Sequence, residues 1–75
     1  MVKAFVLVNV DLGAEKEALK QFRAFPEVKE SYLVYGLYDV VAFLETNSMG
    51  KLKEAIGQKV RTVDGVKSTI TTVVT

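Results

Sequence analysis

Apolar and polar positions alternate with two different periods along this chain, and the switches between them mark its elements. Val2, Ala4, Val6, Val8 and Val10 share one face of an extended segment, with Phe5 and Leu7 on the other, which predicts a strand over residues 2–10. Asp11-Leu12-Gly13 is turn chemistry. From Ala14 the period changes. Ala14, Ala18, Phe22 and Phe25 recur at spacings of four and three, with Leu19 beside them and charged residues on the opposite face. That predicts a helix with acids in its first turn and a base in its last, stopped by Pro26. A second strand is expected over residues 28–35, then a tight Gly36-Leu37 connection and a third strand over 38–45. Thr46-Asn47-Ser48 offers N-cap candidates for a second helix, which the spacing of Met49, Leu52, Ile56, Val60 and Val63 carries forward. Gly50 and Gly57 weaken that helix modestly. Asp64-Gly65 punctuates, and a Val/Thr-rich strand closes the chain over 66–74.

The order β-α-β-β-α-β folds most simply as a ferredoxin-like α+β sandwich: four antiparallel strands with both helices on one face. The other face ought to be polar if it meets water. Instead the third strand carries Val40, Val41, Ala42, Phe43 and Leu44 in succession, apolar on both faces. A bare sheet face of that kind exceeds what soluble monomers usually leave exposed. The expectation is a homodimer formed through the sheet, in the manner of a dimeric α+β barrel.

Composition sharpens this picture. With 75 residues the chain has room for one domain, 1–75, and a small core. It has no Cys and no His, so disulfides, thiolate metal sites and the commonest metal ligand and general base are absent. Self-association is the remaining way to make up the core. A net charge of +1 with both signs interleaved gives no electrostatic pull toward nucleic acid or anionic membrane. No run is long enough to span a bilayer, and the apolar start, broken by Asn9 and Asp11, reads as a strand rather than a signal peptide. The expected address is the cytosol.

The candidate chemistry is sparse. No Gly-rich phosphate loop and no nucleophile-base pair occurs, so no catalytic residue, metal or cofactor is assigned; a small cofactor-free oligomeric enzyme remains an alternative class. Lys51, Lys53, Lys59 and Arg61 around the second helix read as a solvated face. Tyr32, Tyr35 and Tyr38 imitate a base-stacking platform, but they fall at a hairpin with few basic residues beside them. The segment that stands out is Val34-Tyr35-Gly36-Leu37-Tyr38-Asp39. A glycine at such a turn leaves backbone N–H groups open to a carboxylate, and Asp39 just beyond it can receive an ammonium group.

Gly36-Leu37-Tyr38-Asp39 followed by Val40-Val41 resembles the Gly-x-Tyr-Asp signature of the Lrp/AsnC regulators, and Gly65-Val66 with Thr69-Ile70-Thr71 resembles their closing strand. The resemblance spans the chain but covers only the effector-binding domain of that family, without its helix-turn-helix. It implies dimers assembling into a ring, often an octamer, with amino acids or similar metabolites bound between subunits. By position it implies a ligand site of Tyr35, Gly36, Leu37, Tyr38 and Asp39 from one subunit with Thr69 and Thr71 from another. Tyr35 stands where many members carry a smaller residue, which would narrow the pocket or alter ligand choice. A further implied partner is a full-length Lrp/AsnC regulator, which the chain would modulate by hetero-oligomerisation. ACT domains share the element order but lack the two matched blocks.

Overall fold

A computed structural model describes residues Met1–Thr75. Strand β1 (Val2–Val10) leads into helix α1 (Glu15–Arg23), followed by β2 (Val28–Leu33), β3 (Val40–Thr46), helix α2 (Met49–Gln58), a 3-10 turn (Val60–Thr62) and β4 (Val66–Val73). The sheet order is β2-β3-β1-β4 with every neighbour antiparallel. This is the ferredoxin-like βαββαβ sandwich expected from the pattern.

Register explains which side chains meet the helices. Across the sheet, Val28, Leu44, Ala4 and Val73 form one row, and Ser31, Ala42, Val6 and Thr71 the next. In these rows Ala4, Val6, Ala42 and Leu44 are fully buried, as are Val8 and Val40 one row further on. Above them lie Ala18 and Phe22 of α1, Leu52 and Ala55 of α2, and Val60 and Val63 around the 3-10 turn, making one apolar core. Only 16 of 75 residues are buried, so the chain's own core is thin for its length.

Local chemistry sets the ends of the elements. Ser48 is the N-cap of α2, its Oγ accepting the Lys51 N–H at 3.2 Å. Helix α1 lacks a side-chain cap; Glu15 instead accepts the Gly13 N–H at 3.1 Å. Gly65 adopts φ 89°, and a Cβ there would sit 2.7 Å from the Ala14 Cβ, so only glycine lets the β4 turn meet the start of α1. Each edge strand carries one bulge. Lys29 is the extra residue of β2, between Val28↔Leu44 and Glu30↔Phe43. Lys67 is the extra residue of β4, between Asn9↔Ser68 and Val10↔Val66.

Three boundaries differ from the sequence reading. The second helix ends at Gln58 rather than running to Val63, because Thr62 turns its hydroxyl onto the Gln58 and Lys59 carbonyls and tightens the last turn to 3-10. Val60 and Val63 are nevertheless buried, so the apolar spacing reported contact correctly and geometry incorrectly. The first helix stops at Arg23, with the Ala24 and Phe25 N–H groups bonded three residues back. The β2–β3 connection is not a tight Gly36-Leu37 turn: Val34 to Asp39 all lie outside the strands.

Candidate functional site

The long β2–β3 connection is organised around Asp39. Its backbone N–H donates to the Val8 carbonyl at 2.9 Å, and its carbonyl accepts the Val34 N–H at 3.0 Å. Its carboxylate Oδ2 accepts the Val10 N–H at 2.9 Å. That bond continues the edge of β1 beyond the end of β3, where a strand partner would otherwise be missing. Oδ1 makes no hydrogen bond within the chain. Asp39 is thus fixed by three hydrogen bonds, two through its backbone and one through its side chain, and keeps one oxygen for another donor.

The rest of the loop is presented outward. Tyr35 and Leu37 are fully or nearly fully exposed, at 106% and 88%, while Tyr38 is half-buried. Gly36 has φ 137° and open space around its α-carbon. A depression of about 370 Å³ forms where Tyr35, Val34 and Leu33 face the first turn of α1, with Asp39, Glu15 and Lys16 as its charged members. Gly36 does not line it. The sequence reading missed Glu15 and Lys16; the signal was topological, since β1 and the start of β3 are neighbours and the β1–α1 turn returns the helix N-terminus to that end of the sheet.

Thr69 and Thr71 pair with Val8 and Val6 and therefore share the helix-facing side of β4. Strand β1 separates them from Asp39. Thr71 lines a depression of about 380 Å³ between α2 and β4, and Thr69 an adjoining one of about 360 Å³; Arg61 borders both. The two blocks singled out in the sequence thus open into different depressions of one chain. The largest depression, about 510 Å³ between α1 and the end of α2, contains none of these residues. The three tyrosines do not make a platform: Tyr32 stands on the outer sheet face, bonded to Glu30, and Tyr35 and Tyr38 belong to the loop. No helix is long and apolar enough to cross a membrane.

Known proteins place this arrangement. The model of the Lrp/AsnC ligand binding domain matches residues 3–75. An uncharacterised HTH-type transcriptional regulator of Pyrococcus horikoshii is 28% identical over 74 residues, which is 99% of this chain and 47% of the relative. The chain spans about half the length of the curated relatives it matches. Among solved structures, FFRP-DM1 superposes with a TM-score of 0.96 at 37% identity, covering all of both chains. Escherichia coli AsnC gives 0.92 at 26% identity over 97% of this chain and 50% of its own. A feast or famine regulatory protein of Mycobacterium tuberculosis complexed with L-methionine gives 0.83 at 25% identity, over 99% of this chain and 50% of its own. With the family model matched across nearly its whole length, this chain belongs to the Lrp/AsnC family as a ligand-binding domain.

Proposed function

We propose that the domain senses an amino acid or a related small metabolite at a site assembled between copies of itself. The carrying observation is the division of the candidate site: Asp39 and Tyr35 open into one depression, Thr69 and Thr71 into others, with β1 between. One chain does not bring these residues together, whereas two adjoining chains can. The exposed Tyr35 and Leu37 support the same reading, since apolar tips of that size gain by being covered by a neighbour. Asp39 would take the ligand's ammonium through its free oxygen, Gly36 and Tyr38 would shape the loop around it, and the Thr69 and Thr71 hydroxyls would orient it from the neighbouring subunit.

A ligand held by two subunits stabilises the assembly that holds it, by about 2.7 kcal/mol when its concentration is a hundredfold above Kd. Calorimetry against the twenty amino acids tests the proposal, with L-methionine a natural first probe because the mycobacterial relative is complexed with it. Binding of at least one is expected, and its loss in Asp39→Asn, which keeps an acceptor for the Val10 N–H while removing the charge. No heat with any amino acid at millimolar concentration overturns it.

A second reading is favoured by the match to half of E. coli AsnC, a chain that carries the same domain beside further sequence. On this reading the domain joins full-length regulators through shared oligomer surfaces and changes their DNA binding without touching DNA. Co-purification with a tagged full-length family member from the same cell is the expected result; failure to recover one overturns it.

A further inference from the structure

Resting on the proposed amino-acid site, we infer that Arg61 is the residue that receives the ligand's carboxylate, acting from the β4 side with Thr69 and Thr71. Three observations lead there. First, Arg61 is the one residue that borders both the Thr71 and the Thr69 depressions. It lies in the 3-10 turn Val60–Thr62, and Val60 and Val63 are buried on either side of it. The backbone of Arg61 is thereby anchored while its side chain stays exposed.

Second, its guanidinium is free. Arg23 donates to the Ser31 carbonyl at 2.9 Å, and Lys59 is paired with Glu27 at 2.9 Å. Arg61 makes no side-chain hydrogen bond and no salt bridge, and the hydroxyls of Thr69 and Thr71 are likewise unengaged. Third, the charges are segregated. The charged residues bordering the two β4 depressions are Lys53, Arg61 and Lys67, with no carboxylate among them. Around Asp39 the charged residues are Asp39, Glu15 and Lys16, a net negative setting. A zwitterion is matched by such a pair of poles only if its ammonium turns to Asp39 and its carboxylate to Arg61. The alternative donors to the carboxylate, the backbone N–H groups at Gly36, border no depression. A planar guanidinium fork also suits a carboxylate better than any single donor nearby.

The test is calorimetry with the wild-type chain, Arg61→Gln, Arg61→Lys and the control Lys20→Gln, whose lysine lies on α1. The probes are the amino acid giving the largest heat in the panel of twenty and the primary carboxamide of that amino acid. Arg61→Gln is expected to weaken the acid about 10- to 100-fold, the effect of removing a hydrogen bond to a charged group. It should also erase the wild-type preference for acid over amide. Arg61→Lys should keep part of both, and Lys20→Gln should change neither. Circular dichroism matching the wild type separates lost binding from lost folding. Wild-type affinity or a retained preference for the acid in Arg61→Gln overturns the role of Arg61 while leaving the amino-acid site standing. No binding by the wild-type chain overturns both.

Discussion

The two faces of the sheet are built from different side chains. Toward the helices stand Ala4, Val6, Val8, Val40 and Ala42, all small, with Leu44 the one larger side chain beside them, and all are fully buried. Away from them, the row Tyr32, Val41, Leu7 and Ile70 runs across all four strands, with Phe43 and Phe5 beside it at a ring separation of 5.0 Å. The larger side chains are thus on the uncovered face: Phe5 is 44%, Tyr32 52% and Ile70 48% exposed. Small residues let two helices lie close to the sheet. Bulky, contiguous and half-exposed side chains on the bare side have the composition of an interface core, which is why the proposed assembly places a neighbour there. On the proposed self-assembly, the domain carries two half-cores, one closed by its own helices and one left for a like surface.

The strongest blow to that contrast falls on the closed face. Phe22→Ala removes the largest fully buried side chain and should cost about 3–5 kcal/mol, a large share of the stability of a domain this small. Denaturant unfolding should show the loss at any protein concentration. Phe43→Lys, on the open face opposite Glu30, should act differently. It is expected to leave the circular dichroism of the chain native while weakening self-association by about 2 kcal/mol for each interface anchor lost. Light scattering reads the outcome: a wild-type mass of one chain, 8.3 kDa, at micromolar concentration would refute the half-core reading outright.

The smallest expected effect lies away from both faces, at the pair Lys59–Glu27. The hydrogen bond from Lys59, helped by a backbone N–H, holds the Glu27 carboxyl below its ordinary value of 4.5. A lowered carboxyl contributes stability above that value, and the contribution fades as pH falls through the folded-state pKa. Both side chains are partly exposed, so solvent screening keeps the contribution near or below about 0.5 kcal/mol. Lys59→Met should therefore unfold slightly earlier than wild type at pH 7, and the two curves should converge well below pH 4.5.

What was legible beforehand follows from periodicity. The 2-residue period of β1 and the helical spacing of Ala18 and Phe22 are strong signals because one face of each element is buried without interruption. The apolar character of both faces of β3 was equally plain, and it led to the expected partner surface. The loop was not legible. Val34, Tyr35 and Tyr38 are good strand formers, yet the chain spends them outside the strands because Asp39 turns to bond β1 at Val8 and Val10. That choice is a long-range contact and leaves no local mark. Arg61 is exposed, as a solvated face requires, but it sits in the 3-10 turn beside β4, a placement that spacing along the helix does not encode.

The two lysine-bearing bulges have a consequence for how copies of the chain can add to one another. Strands β2 and β4 are the edges of the sheet, and each is interrupted by one extra residue, Lys29 and Lys67. A bulge breaks the regular ladder of backbone donors and acceptors, and a lysine placed there must lose its hydration before another strand can dock. Both routes to indefinite edge-to-edge growth are obstructed in this way, while the broad face stays open. If copies of the chain assemble as proposed, these edges favour a closed assembly over open-ended strand addition.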